Sequence, residues 1–93
     1  MDKLELFNGL IEVVTPVNTM GAHADSLDMP LVDTGLDSLD MLMMVIYISD
    51  IYGVSEETLK SLEPTTVQDI FDFMVIHKTK EPTTVKEAIE GCK

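Results

Sequence analysis

Apolar residues along this chain recur at helical spacing, and no strand is predicted. Leu4, Phe7, Ile11 and Val14 fall on one stripe of an opening helix, and Asp2 followed by Glu5 has the form of a capping box at its start. Pro16 ends that helix, because the residue before a proline is pushed away from helical angles. From about Thr15 to Asp37 the periodicity disappears, and Asn18, Gly21, Pro30 and Gly35 punctuate a long loop. A structureless segment of that length in a compact domain tends to be functional. Leu27, Leu31, Val32 and Leu36 are the side chains expected to pin it to the core.

A second helix is predicted from Ser38 to about Tyr52, ended by Gly53 at a left-handed C-cap. Ser55 then caps a short turn whose Leu59 and Leu62 face inward, and Pro64 closes it. Thr66 caps the last main helix, where Val67, Ile70, Phe71, Met74 and Val75 follow the i, i+3, i+4, i+7, i+8 pattern. The run Glu81 to Val85 copies Glu63 to Val67, and Thr84 with Glu87 looks like a further capping box, so a short extra helix runs through about Glu90. The copy is reused helix-start chemistry, since nothing else recurs. The expected fold is all-α: a small four-helix bundle of three main helices and a short third helix, with a long first loop and an extra C-terminal helix. Residues 1–78 form the bundle and 79–93 an extension. The pattern leaves open whether that extension docks or dangles.

The second helix has more apolar positions than one face can hold. Met41, Met44, Val45, Ile48 and Tyr52 suit the core, while Leu39, Leu42, Met43 and Ile46, with Tyr47 at the edge, make a second stripe. A helix in so small a domain is rarely covered all round, so part of this stripe is expected to face solvent. The long loop folding over it is one explanation. A docking face is the other, and methionines suit a surface that meets several partners.

Composition narrows the functional classes. With 93 residues the chain is one domain, and hydrophobic residues at 45% against aromatics at 5% imply a core of aliphatic side chains and methionine. Seventeen acids against six bases give a net charge of −11. Nucleic acid and anionic membrane are therefore poor partners, and basic protein surfaces good ones. The charges in M-D-K-L-E-L-F-N do not form a signal peptide, and no segment approaches the roughly 20 apolar residues that span a bilayer. A soluble, cytoplasmic monomer is the expectation. Cys92 stands alone near the C-terminus, so no intramolecular disulfide forms, and it reads as an inert thiol.

The chemistry concentrates in G-L-D-S-L-D, Gly35 to Asp40, which leads directly into M-L-M-M-V-I-Y-I. It sets Ser38 in the first turn of a helix at the end of a long loop. A helix N-terminus offers unpaired amides and roughly half a positive charge, which suits a phosphate. The alternative for Ser38 is an ordinary N-cap serine. With its D-S-L of Asp37, Ser38 and Leu39, the I-Y-G-V of Ile51 to Val54, and the L-E-P-T-T-V-Q-D-I of Leu62 to Ile70, the chain resembles the acyl carrier protein family, including its peptidyl carrier relatives. Order and spacing agree from the first helix to about Ile76.

That resemblance implies a four-helix bundle whose motif serine, here Ser38, is esterified with 4'-phosphopantetheine by a phosphopantetheinyl transferase using coenzyme A. The thiol of the arm then carries an acyl or aminoacyl thioester from a loading enzyme to a downstream synthase or transferase, and the flexible tether raises its effective concentration. Asp37 and Asp40 would steer basic partners, with Leu39, Leu42, Met43, Ile46 and Tyr47 as docking face. Family members of primary fatty acid synthesis usually carry several glutamates along this helix. Here Met43, Tyr47, Ser49 and Ile51 stand at corresponding positions, which points to apolar docking and to a discrete carrier of a polyketide or nonribosomal peptide pathway. A fatty acid carrier is the alternative within the class, and a plain helical interaction module the alternative outside it.

Other chemistry finds little support. Asp25, Asp28, Asp33, Asp37 and Asp40 lack the ligand order of an EF-hand, with no glycine at the sixth position and no closing glutamate. His23 and His77 lie in different elements. No nucleophile–base pair and no phosphate-cradling glycine loop is present, so no catalytic residue, metal site or enzymatic activity is expected.

Overall fold

A computed structural model describes residues 2–15 and 21–91. Its helices are α1 (Lys3–Val14), α2 (Ser38–Tyr52), α3 (Glu56–Leu59), α4 (Val67–His77) and α5 (Val85–Glu90), with a 3-10 turn at Leu31–Asp33 in the first loop. Among the described residues there is no strand, only an isolated bridge between Pro30 and Thr66. The all-α bundle read from the sequence is therefore the observed fold. No described helix is long and apolar enough to cross a membrane.

Local chemistry sets most helix ends. The Asp2 carboxylate accepts the Leu4 and Glu5 amides at 3.0 and 3.2 Å, and thus satisfies two donors that the first turn of α1 leaves unpaired. Thr66 and Asp69 form a reciprocal capping box on α4. The amides of Thr65 and then Thr66, both bonded to its carboxylate, hold Asp69 below the usual carboxylate range. Ser55 caps α3 and Thr84 caps α5 as expected, although the Glu87 carboxylate takes the Thr83 hydroxyl. Pro16 and Asn18, invoked for the end of α1 and its loop, lie outside the described residues, as does Cys92.

The core is formed where α1, α2 and α4 meet. Phe7, Met44, Ile48, Ile70, Phe71 and Met74 are fully buried, and Phe71 receives Phe7 and Tyr52 edge-on at centroid distances of 6.5 and 6.4 Å. Some apolar assignments shift. On α1 the buried face is Leu6, Phe7, Leu10 and Ile11, while Leu4 and Val14 are half-buried, so it is wider than a single stripe. Val75 on α4 turns outward, one position past the buried stripe. Leu59 and Leu62 face inward as expected and pack half-buried against the core.

The first loop is secured mainly by hydrogen bonds. Asn8 on α1 donates to the Ala24 carbonyl at 3.0 Å and accepts the Ala24 amide at 2.7 Å. The Leu31 amide donates to the Thr65 carbonyl at 2.9 Å, and the first amides of α4, at Val67 and Gln68, donate to the carbonyls of Met29 and Leu27. Leu31 is buried and Leu27 and Leu36 half-buried, as expected of pins. Val32 is not a pin: it is 87% exposed, because the 3-10 turn that buries Leu31 rotates its neighbour outward.

The extension docks. The amides of Thr79 and Lys80 both reach the Tyr52 carbonyl, the Thr79 hydroxyl donates to the Gly53 carbonyl at 2.7 Å, and α5 lies against α1 with Ala88 buried. Gly53 is the hinge of this arrangement, at φ 67° and with room for no β-carbon, which would sit 2.1 Å from the Thr79 hydroxyl oxygen. Gly53→Ala should therefore lower unfolding stability by about 1–3 kcal/mol, measured by chemical denaturation, and should weaken hydrogen-exchange protection of the Thr79 and Lys80 amides.

Candidate functional site

Ser38 opens α2, but it does not cap it. The N-cap is Asp37, in extended conformation, whose carboxylate accepts the Asp40 amide at 2.8 Å. This frees the Ser38 side chain from the role a serine at such a place ordinarily has. Ser38 is exposed, at the first helical position, where the α2 dipole favours an anion. Its hydroxyl is thus accessible and stands at a helix start, where backbone amides can donate to phosphate oxygens. The flanking carboxylates of Asp37 and Asp40 oppose this at an exposed, well-screened position.

An open groove of about 520 Å³ begins at this serine. Leu31, Val32 and Leu36 line it from the first loop, Met41, Leu42, Val45 and Ile46 from α2, and Leu59, Leu62 and Pro64 from the α3 side, with Asp37 and Ser38 among its walls. The lining is mostly aliphatic, and the size is that of a small-molecule pocket. Sequence reasoning assigned Met41 and Val45 to the core. They are half-buried and face this groove, because α3 contributes only one turn there and does not close it. The surplus of apolar positions on α2 was the available signal, though it did not reveal a concavity.

The proposed docking face divides. Leu39 and Leu42 are exposed, at 68% and 55%, close to Ser38. Ile46 lies in the groove wall, Met43 is half-buried, and Tyr47 is partly withdrawn against the core. Two further positions at which the resemblance implies acids are buried. Ser49 is buried and donates its hydroxyl to the Ile46 carbonyl at 2.7 Å, and Ile51 is buried where α2 meets the C-terminal segment. A second cleft, about 320 Å³, separates Asp50 and Ile51 from residues 80–91, away from Ser38.

The surface around Ser38 is acidic. Asp37 caps the helix and lies in the groove wall beside it, Asp40 stands in the same first turn, and no lysine or arginine occurs in the sequence between Lys3 and Lys60. Among the described residues no three His, Cys, Asp or Glu side chains gather as a metal site. His23 belongs to the loop rather than to the serine. Its Nδ1 lies 3.1 Å from the Gly21 carbonyl and its Nε2 2.6 Å from the Asp25 carboxylate. Both partners only accept, so imidazolium alone serves both. The bond to Gly21 and then the Asp25 carboxylate raise the His23 pKa. No family model, curated protein or solved structure matches the chain.

Two measurements check these local claims. Because its folded pKa is raised, His23 contributes stability that is complete below the ordinary imidazole value and is lost as pH rises through the folded value. NMR titration should give a midpoint above about 6.5, and Asp25→Asn should bring it down. Asp37→Ala should cost about 1 kcal/mol of stability through the lost cap, with Ser38→Ala costing much less in the same denaturation assay.

Proposed function

We propose that this chain is a carrier protein that is phosphopantetheinylated on Ser38 and shuttles an acyl or aminoacyl thioester between enzymes. The observation that carries this reading is a serine hydroxyl at the start of α2, exposed and relieved of capping by Asp37, beside an open apolar groove. In the modification, the Ser38 oxygen attacks the pantetheine-bearing phosphorus of coenzyme A. The bond to the adenosine bisphosphate breaks, and the serine proton passes to a base on the transferase. The product is a phosphodiester whose arm ends in a thiol. A flexible arm on a rigid bundle keeps the thioester within reach of successive active sites, and the groove offers an apolar cargo a surface out of water.

The partners are a phosphopantetheinyl transferase, an acyl- or aminoacyl-loading enzyme and a downstream synthase or transferase, meeting the carrier in the cytoplasm. Leu39 and Leu42 supply the apolar contact, and Asp37 and Asp40 steer basic surfaces towards Ser38. Met43 and Tyr47, in place of acids on α2, favour a polyketide or nonribosomal peptide pathway over primary fatty acid synthesis. The chain itself has no catalytic part in the chemistry.

Intact-mass measurement tests the assignment. Incubated with coenzyme A and a broad-specificity transferase, the protein should gain one phosphopantetheine, and Ser38→Ala should abolish the gain while remaining folded. A wild-type protein that stays bare, when a control carrier is fully modified in the same tube, leaves the helical interaction module as the reading.

A further inference from the structure

Val32 was expected in the core and stands instead at the mouth of the groove, 87% exposed. Its position is built rather than accidental. The Leu31 amide is bonded to the Thr65 carbonyl, and the amides of Asp33 and Thr34 close the 3-10 turn onto Pro30 and Leu31. The Thr34 side chain is buried, with its hydroxyl donating to the Leu31 carbonyl at 2.6 Å. A turn tied down on both sides of Val32 presents an isopropyl group to water in a fixed orientation. Little conformational entropy is then lost when a partner covers it.

The geometry points to Val32 as an anchor of the surface by which an enzyme acting at Ser38 grips this protein, in a partner socket that is apolar at its centre and basic at its rim. The inference rests on the carrier reading and extends it from α2 to the first loop. Val32 and Leu42 line the same groove from different elements, with Ser38 also in its wall, so a partner reaching the serine meets both side chains. Asp37 lies in the groove wall and Asp40 in the first turn of α2 beside Ser38, and on a chain of net charge −11 they ask for positive charge opposite. A second copy of this chain is a poor occupant, because it would bring the same carboxylates and another net charge of −11.

Steady-state kinetics of Ser38 modification test this, using a broad-specificity phosphopantetheinyl transferase with a basic carrier-docking face. The substrates compared are wild type, Val32→Ser, Val32→Leu and Ile76→Ser. Ile76 is the control, an apolar residue on α4 that is 75% exposed and outside the groove. Val32→Ser should raise KM for the carrier about fivefold at unchanged kcat, while Val32→Leu and Ile76→Ser behave as wild type and all four melt alike. A wild-type KM in Val32→Ser overturns the inference and leaves the carrier reading standing. An equal rise in Ile76→Ser also overturns it, since the effect would then not be local. Sedimentation that detects a dimer lost in Val32→Ser would reassign the residue to self-association. A wild-type protein that takes up no phosphopantetheine overturns both readings together.

Discussion

The first loop has to be held in place by other parts of the chain, and the site depends on how this is done. A long segment without its own secondary structure must find partners for its backbone groups elsewhere. Here α4 gives its first free amides to the carbonyls of Leu27 and Met29, Thr65 receives the Leu31 amide, and Asn8 of α1 clamps Ala24 from both sides. Each such bond contributes about 1 kcal/mol net, and together they turn the loop into a wall. That wall faces α2, and the helix begins only where the loop ends. The exposed serine, the groove and the outward Val32 all follow from this one arrangement.

Helix α2 has apolar residues on nearly every side, and different neighbours take different parts of it. The core receives Met44 and Ile48, the C-terminal segment adjoins Ile51, and the loop and α3 half-enclose Met41 and Val45. Only Leu39 and Leu42 stay exposed in the first turns, next to Ser38. The cost of leaving two leucines in water is modest for each, and their concentration at one end of one helix is what gives the exposure meaning. On the carrier proposal, Leu39 and Leu42 with the neighbouring Asp37 and Asp40 suit partners that are apolar at the centre and basic around it. This is the physical content of the carrier proposal.

Much of the fold was legible because local rules and tertiary packing agree. Asp2, Ser55, Thr66 and Thr84 cap the helices they were expected to cap, Gly53 takes the left-handed C-cap, and the α4 stripe from Val67 to Met74 is buried as its spacing requires. Such features depend on residues within one or two turns of each other. At the site, the place of Ser38 in the first turn of α2 was equally readable, as was the surplus of apolar positions on that helix, part of which faces solvent. The departures occur where distant segments meet. Ser49 and Ile51, at positions where the resemblance implies acids, are buried, Val75 of the α4 pattern is exposed, and the extension finds a berth that its pattern leaves open.

What the amino-acid order determined by itself was the set of helices, their ends, and a serine set between acids at a helix start, because capping, periodicity and turn chemistry act over a few residues. The tertiary structure decided which of the surplus apolar side chains on α2 meet water, that α5 seals α1, that Asp37 rather than Ser38 does the capping, and that Val32 points outward. These outcomes depend on competition among segments far apart in sequence for the same buried area and the same unpaired backbone groups. No local pattern records who wins it.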